Sequence, residues 1–163
     1  MNVKIFKTNI LGKKKINNIC ELKSSFWKYS IRQHKNWFKK NINKGDLHFY
    51  YGENNKLFGY NSLRKQISIN DKKKLNYFIF NTLIINKNFR KQGIAKLIMK
   101  KNLNLLKKNK QIAFLQCEKK HIKFYKNLKW RLVNKNKISI KIRLKRKINL
   151  MFVNFSQNDF FTK

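Results

Sequence analysis

Runs of β-branched and aromatic residues predict seven strands along this chain. The runs are VKIF, DLHFYY, KLFGYNSL, LNYFIFNTLII, IAFLQC, RLV and NLMFVNF. The segment Gly52-Glu53-Asn54-Asn55 joins the second run to the third, which predicts a β-hairpin. LNYFIFNTLII is nearly continuous, as expected of a central strand that is covered on both faces.

Other segments have the period of a helix. Residues 20–42 carry apolar side chains at helical spacings, with a break expected near Ser30. After Gly93 the apolar side chains gather on one arc of a helical wheel, most lysines fall opposite, and Asn102 interrupts the apolar arc. The arc consists of Ile94, Ala95, Ile98, Met99, Leu105 and Leu106. HIKFYKNL predicts a further short helix, so the order β-β-β-α-β-α-β predicts an α/β domain with a mixed sheet.

No internal repeat or Pro/Ser-rich linker divides the 163 residues, and we expect one domain over residues 1–163. The first residues lack the continuous apolar stretch of a signal peptide. No apolar run approaches the ~18–20 residues needed to cross a bilayer. Cys20 and Cys117 are the only cysteines, which predicts no disulfide framework and fits a reducing compartment. We therefore expect a cytoplasmic protein without a metal site, and the sequence leaves a homodimer open.

The net charge of +35, with only six acidic residues, first suggests a polyanionic partner. Codon usage offers a second explanation. The chain is rich in amino acids with A/T-rich codons, whereas Pro is absent and Gly, Ala and Arg are scarce. The basic residues are also spread along the whole chain, without an aromatic-rich RNA-binding signature among them. We therefore favour codon bias, and nucleic-acid binding stays an alternative.

The turn between LNYFIFNTLII and the following helix combines bare backbone with positive charge. A helix N-terminus has N–H groups without intrahelical partners and the positive end of the helix dipole. Gly93 leaves the backbone accessible, and Arg90, Lys91 and Lys96 add charge. Such a turn suits a pyrophosphate. The sequence is neither GxGxxG nor a GK[ST] loop, and an ordinary strand-to-helix turn eased by a glycine explains it equally well.

The spacing of residues 90–95, RKQGIA, resembles the [RQ]-x-x-G-x-[GA] signature of the GNAT superfamily of N-acetyltransferases. Residues 115–130, LQCEKKHIKFYKNLKW, resemble a later motif of the same family, a strand followed by a helix with Phe-Tyr-x-x-x-Gly-[Phe/Trp]. The sequence of this motif is similar to that of the serotonin N-acetyltransferases, although Lys129 stands where the glycine is expected. The resemblance covers about residues 47–155. It implies a mixed central sheet with helices on both faces and acetyl-CoA as co-substrate.

The resemblance also implies roles for single residues. The turn amides would hold the pyrophosphate of acetyl-CoA, and backbone groups of Leu83 and Ile85 would pair with its pantetheine arm, as an added strand does. Tyr125 matches the tyrosine that donates a proton to the departing CoA thiolate. Without the motif, Tyr125 is simply a core aromatic residue. The implied turn residues are Lys91, Gln92, Gly93, Ile94, Ala95 and Lys96.

The general base is less well defined. The serotonin N-acetyltransferases use histidines on the central strand, but the corresponding positions here are Ile79 and Asn81. His48, Glu118 and His121 are the candidates that remain, acting through water, and a packed His48 is the better interpretation of that residue. Cys117 could serve as a nucleophile, but a buried strand thiol is the commoner role, and direct transfer is typical of the family.

We therefore expect an acetyl-CoA-dependent N-acetyltransferase that acts on a primary amine of a small molecule or amino-sugar. The Trp27–Trp37 segment would shape its acceptor pocket. One alternative keeps the chemistry but takes a macromolecular acceptor, either an aminoacyl-tRNA or a protein N-terminus, and the high positive charge favours the tRNA. Another alternative is a basic nucleic-acid-binding module without catalysis.

Overall fold

Seven strands form one mixed sheet in the computed structural model, which describes residues 1–53, 56–70, 73–133 and 148–154. The strand order is β1-β2-β3-β4-β5-β7-β6. The strands are β1 (Lys4–Lys7), β2 (Leu47–Glu53), β3 (Lys56–Asn70), β4 (Lys73–Ile85), β5 (Ile112–Cys117), β6 (Arg131–Leu132) and β7 (Asn149–Val153). β4 and β5 run parallel, whereas β1–β2, β2–β3, β5–β7 and β6–β7 are antiparallel. The predicted α/β fold with a mixed sheet is confirmed.

Four α-helices lie among the described residues: α1 (Lys13–Ser24), α2 (Ile31–Asn41), α3 (Ile94–Lys108) and α4 (Ile122–Asn127). The predicted break near Ser30 is confirmed, because Ser30 caps α2 with a capping box. Its Oγ accepts from the Gln33 N–H at 3.2 Å, and its own N–H donates to Gln33 Oε1 at 2.8 Å. α1 begins at Lys13, seven residues before the predicted segment, because Ile16 and Ile19 continue its apolar face among lysines and asparagines.

The chain forms two compact units. The first contains residues 1–64 and 81–102, and the second contains residues 65–80 and 103–163, so that β3, β4 and α3 contribute residues to both. The expectation of a single domain over residues 1–163 stays a prediction, and part of it lies outside the described residues.

In the first unit, α1 and α2 cover one face of the strands and α3 covers the other. Tyr50 and Tyr60 are cross-strand partners that pack with apolar residues of both α1 and α2. Gly59, next to Tyr60, faces α3: a Cβ there would lie 2.8 Å from Cδ1 of Ile98 and 2.9 Å from Cδ1 of Ile85. The missing Cβ lets these isoleucine side chains pack directly against the β3 backbone. The cluster under α1 and α2 contains Leu11, Ile19, Leu22, Phe38, Tyr50, Leu57, Tyr60 and Ile84.

The predicted β2–β3 hairpin is confirmed by its antiparallel register, although Asn54 and Asn55 of its turn lie outside the described residues. The register shifts between Tyr51, which pairs with Gly59, and Gly52, which pairs with Leu57. One extra residue on β3 at this point is a β-bulge.

The second unit is built on the pairing of β5 with β4 and β7. The parallel ladder between β4 and β5 runs from Tyr77 to Phe80 and ends there. Phe80 contacts the rings of Tyr125 and Trp130, both in T-shaped geometry, which attaches α4 to this strand. β6 ends at Leu132, one residue short of the predicted run, and Phe155 of the last predicted run lies outside the described residues. The core of this unit contains Leu75, Tyr77, Phe114, Val133, Leu150 and Phe152.

Candidate active site

The turn before α3 has an unusual backbone conformation. Lys91 and Gly93 both adopt positive φ angles, 62° and 76°. A left-handed conformation costs a residue with a Cβ about 1–2 kcal/mol, whereas glycine adopts it freely. Open space surrounds Gly93, since a Cβ there would meet nothing within 4 Å. Gly93 adopts this conformation without the strain that Lys91 carries, and the space beside it is free for a ligand.

The amides of this turn have no partners within the described chain. None of the N–H groups from Lys91 to Lys96 donates a hydrogen bond to another described residue, and the first helical bond is Leu97 N–H to Gly93 O at 3.0 Å. The residues of the turn are largely exposed. A series of free N–H groups at a helix N-terminus forms a concave anion site, strengthened by the helix dipole. The geometry therefore fits the phosphate site that the sequence predicts here.

The Arg90 side chain is held by contacts within the protein. Its Nε donates to the carbonyl of Ile85 at 3.2 Å, and its guanidinium carbon lies 5.5 Å from the centroid of the Phe26 ring. The positive charge free at the turn comes from the exposed Lys91 and Lys96. Arg90 therefore already satisfies one acceptor position of the Ile85 carbonyl.

β4 is kinked at Thr82, whose φ is 56°. The kink exposes the carbonyls of Asn81 and Thr82 to one donor: Asn61 Nδ2 lies 3.2 Å from the first and 2.9 Å from the second. Ser62 Oγ adds a bond to the Asn81 carbonyl at 3.3 Å. Asn102 of α3 in turn donates to Asn61 Oδ1 at 2.6 Å. This buried chain of amides fixes the backbone just before Leu83 and Ile85.

Sequence reasoning missed the roles of Asn61 and Asn102. The available signal was the interruption of the apolar arc of α3 by Asn102, since a polar residue on a buried helix face requires a partner. Its partner Asn61 lies on another strand, and local pattern could not identify it.

Tyr125 belongs to α4 and is 8 % exposed. Its ring makes T-shaped contacts with Phe80 and Phe124, at centroid distances of 6.1 and 5.1 Å. Its hydroxyl makes no hydrogen bond to any described residue. Burial, and to a lesser degree the Cys117 thiol, raise the pKa of Tyr125 to about 12. The hydroxyl is therefore a protonated donor at neutral pH with no protein acceptor in the described chain.

Lys129, which replaces the glycine of the second motif, has a φ of 64°. The Lys129 N–H donates to Lys126 O at 2.9 Å, and the Trp130 N–H donates to Tyr125 O at 3.1 Å. These two bonds form a Schellman motif that ends α4. Lys129 thus adopts the left-handed conformation that glycine favours, in the turn that follows Tyr125.

His48 is a structural residue and not an available base. It is fully buried, its Nδ1 lies 2.7 Å from the Tyr60 hydroxyl, and its Nε2 lies 2.9 Å from Thr8 Oγ1. Its ring also stacks on Phe38. Burial lowers the pKa of His48 to about 4, so the imidazole is neutral at physiological pH and both of its nitrogens are engaged.

The remaining candidates are two exposed side chains and one buried thiol. Glu118 is exposed and accepts from Lys120 Nζ at 2.7 Å, and this bond is the main cause of its lowered pKa. His121 is exposed. Cys117 is buried, its Sγ lies 3.8 Å from Met151 Sδ, and burial raises the pKa of its thiol. A protonated thiol is a poor nucleophile, which disfavours a covalent route.

The predicted site residues fall in both units of the chain. Leu83, Ile85 and the turn residues 91–96 belong to the first unit, where Leu83 and Ile85 are half-buried. Tyr125 belongs to the second. Among the described residues, no three His, Cys, Asp or Glu side chains are grouped as metal ligands would be. No helix in the described part of the chain has the length and apolarity to span a membrane.

Comparison with known proteins gives a family. Residues 16–146 match the model of the acetyltransferase (GNAT) domain. No curated protein sequence matches the chain. Escherichia coli ElaA has a similar structure, with a TM-score of 0.66 and 12 % identity over 93 % of this chain and 97 % of ElaA.

Two further similar structures are enzymes whose names state their own acceptors. An aminoglycoside 6′-N-acetyltransferase complexed with coenzyme A has a TM-score of 0.63 and 10 % identity, over 91 % of this chain and 94 % of that one. The Escherichia coli ribosomal-protein-S18-alanine N-acetyltransferase has a TM-score of 0.60 and 12 % identity, over 92 % and 90 %. At these identities the similarities establish the fold alone. Because the family model covers well over half of the chain, the protein belongs to the GNAT family of N-acetyltransferases, which use acetyl-CoA.

Proposed function

We propose that this enzyme transfers the acetyl group of acetyl-CoA directly to a primary amine of a small molecule or an amino-sugar, in the cytoplasm. The observation that carries the proposal is the turn at Gly93, where the amides of six successive residues are free. These N–H groups can donate hydrogen bonds to a pyrophosphate at the N-terminus of α3. Backbone groups of Leu83 and Ile85 on β4 would pair with the pantetheine arm, as an added strand does.

Tyr125 stabilises the departing thiolate in this proposal. Its pKa of about 12 keeps the hydroxyl protonated. Because an ordinary thiol has a pKa of about 8.5, the tyrosine acts first by donating a hydrogen bond to the sulfur. Complete proton transfer follows only where the sulfur is more basic than in water. Direct transfer is also supported by the cysteines. Burial raises the pKa of both Cys20 and Cys117, so neither thiol is an activated nucleophile.

The acceptor is a small molecule in this proposal because the positive charge is not concentrated. Exposed lysines lie on all four α-helices of the described residues. Codon bias produces such a distribution, whereas a nucleic-acid site requires a dense basic surface. An aminoacyl-tRNA acceptor is the second candidate, favoured by the net charge of +35 alone.

Calorimetric titration with acetyl-CoA tests the cofactor site, and an amine panel with detection of released thiol tests the chemistry. We expect acetyl-CoA to bind and small amines to be acetylated. A chain that fails to bind acetyl-CoA would contradict the proposal. Acetylation of aminoacyl-tRNA far faster than of any small amine, at moderate salt, would replace the small acceptor by the tRNA.

A further inference from the structure

The first unit contains a buried cluster of cationic and aromatic side chains between α1 and α2, apart from the turn at Gly93. Lys23, in the last turn of α1, is only 6 % exposed, and His34 of α2 is 5 % exposed. Lys23 Nζ lies 4.0 Å from the ring centroid of Trp37 and 5.9 Å from that of Trp27. The His34 ring lies 6.3 Å from the Trp27 ring, so both polar groups contact the same indole.

The charge in this cluster is not compensated. Lys23 forms no ion pair and no hydrogen bond with any described residue, and His34 Nε2 is buried without a partner there. Asp46 lies 3.8 Å from Arg64 Nε and forms its ion pair there, not with Lys23. Arg64 itself lies over Trp37 at 5.6 Å and adds a second positive charge beside Lys23.

A buried ammonium needs more than aromatic faces to replace its lost hydration. Burial lowers the pKa of Lys23; the Cys20 thiol partly opposes this shift, and nearby Arg64 adds to it. Buried charges in proteins are normally paired, and a buried polar atom without a partner is rare. Here a charge and an orphaned ring nitrogen occur on facing helices. Both groups would be satisfied by one anionic ligand, since the ammonium donates and His34 Nε2 donates in the appropriate tautomer.

Two exposed aromatic side chains border the cluster on its solvent side. Phe26 and Tyr29, on the connection between α1 and α2, are 54 % and 59 % exposed. Phe26 contacts Trp27 at a centroid distance of 5.0 Å, and Tyr29 contacts His34 at 5.8 Å. Small-molecule sites are typically lined by aromatic side chains together with a few polar groups, as in this cluster.

We infer that Lys23 and His34 bind an anionic group of the acceptor, a carboxylate or a phosphate monoester, while the aromatic side chains of the α1–α2 connection contact its carbon skeleton. This inference rests on the proposed acetylation of a small amine and narrows its substrate class. The acceptor carries both an amine and an anion. A polycationic amine is repelled by Lys23 and Arg64 and is a poor substrate.

Equilibrium binding to the full chain tests the inference without catalysis. Trp27 and Trp37 lie in the cluster, so tryptophan fluorescence reports binding. Two matched pairs of amines are titrated: β-alanine against β-alaninamide, and phosphoethanolamine against ethanolamine. We expect the member that carries the carboxylate or phosphate, in at least one pair, to bind roughly tenfold or more tightly than the partner that lacks this group. The pair that shows the preference distinguishes a carboxylate from a phosphate, and equal binding within both pairs overturns the inference.

Matched variants locate the site. Lys23→Met should abolish the preference for the anionic amine, and Lys28→Met, at an exposed lysine of the same connection, should retain it. A preference that persists in folded Lys23→Met, or that is also lost in Lys28→Met, overturns the assignment to Lys23. Should Lys23→Met fail to fold, the wild-type comparison within each pair still decides.

The acetyl-CoA titration separates this inference from the proposed function. Lys23→Met should bind acetyl-CoA with wild-type affinity and lose acetylation rate only with the anionic amine, through a higher KM. Absence of acetyl-CoA binding in the wild type would contradict the proposed function. Normal acetyl-CoA binding with no discrimination between amines that carry an anionic group and amines that lack one would overturn this inference alone.

Discussion

Asn102 of α3 donates a hydrogen bond of 2.6 Å to Asn61 of β3, and both side chains are fully buried. Through its own Nδ2, Asn61 holds the carbonyls of Asn81 and Thr82, where β4 is kinked. A hydrogen bond between side chains on a helix and a strand thus fixes a backbone distortion in a second strand. The kink sets the orientation of the last residues of β4, which include Leu83 and Ile85.

Replacing Asn102 tests the importance of this relationship. Asn102→Leu removes the donor to Asn61 and leaves a buried acceptor without a partner, which costs about 1–3 kcal/mol. We expect the free energy of unfolding, measured by urea denaturation, to fall by that amount and acetyl-CoA to bind more weakly. Asn104→Leu, at an exposed position of the same helix, is the control and should change neither quantity. Equal stability of the two variants would show that the amide chain does not hold the kink.

A second prediction concerns the turn at Gly93. Gly93→Glu forces a side chain into a conformation with φ of 76° and brings a carboxylate to the proposed phosphate site. We expect calorimetry to detect no acetyl-CoA binding in the folded variant. Gly12→Glu is the control, because Gly12 has a φ of −63° and open space around it. Wild-type affinity in folded Gly93→Glu would refute the assignment of the turn.

A third prediction concerns Tyr125. Tyr125→Phe removes one hydroxyl with almost no change in volume, so acetyl-CoA affinity should stay constant while turnover falls about 10²–10⁴-fold, as for a positioned acid. Because the pKa of Tyr125 is raised to about 12, its hydroxyl stays protonated from about pH 7 to about pH 9. The ratio of wild-type to variant turnover should therefore be constant across that range.

The control for Tyr125 is Tyr77→Phe. Tyr77 is equally buried in the same unit and contacts Phe114 in a T-shaped arrangement. Loss of the Tyr77 hydroxyl should leave turnover unchanged. Wild-type turnover in Tyr125→Phe, with acetyl transfer shown to be rate-limiting, would make Tyr125 a core residue only.

A fourth prediction follows from His48. Its pKa falls to about 4 on folding, from an ordinary value of about 6.5. Between these values the unfolded chain binds a proton that the folded chain does not. The stabilisation is therefore complete above about pH 6.5 and is lost as the pH falls towards about 4, by up to about 3 kcal/mol. His48→Gln should remove this part of the pH dependence of unfolding, whereas His121→Gln, at an exposed histidine, should retain it.

The final prediction concerns Lys129. Because its φ is 64°, Lys129→Gly should raise the free energy of unfolding by about 1 kcal/mol, through relief of left-handed strain. Lys126→Gly, in the helical part of α4, should lower it by a similar amount. A destabilised Lys129→Gly would show that the lysine side chain itself contributes to the end of α4.

Lysine also adopts positive φ at positions 91 and 110. The Lys110 N–H donates to Lys107 O, and the Gln111 N–H donates to Leu106 O, so α3 ends in the same way as α4. Glycine is the usual residue at such positions, but this chain has only five glycines. The repeated use of lysine where glycine is favoured is consistent with codon bias as the source of much of the positive charge.

The sequence by itself determined the elements whose signals are local. The β-prone runs, the hairpin between β2 and β3, and the helix end at Ser30 were predictable because side-chain period, turn composition and capping act over a few residues. The motif around Gly93 was equally predictable, since a positive φ and free amides arise from neighbouring residues alone. The start of α1 was predicted too late, because lysines and asparagines diluted its apolar period.

Only the tertiary structure decided which polar residues are buried and what they contact. His48 resembled a candidate base in the sequence, but packing against Phe38 and bonds to Thr8 and Tyr60 make it a neutral core residue. In the sequence, Asn102 only interrupts an apolar arc. In the structure, it has a hydrogen-bond partner, Asn61, on a strand 41 residues away. The uncompensated charge of Lys23 likewise depends on α2 packing against α1. Burial and long-range pairing set these properties, and neither is encoded in the local pattern.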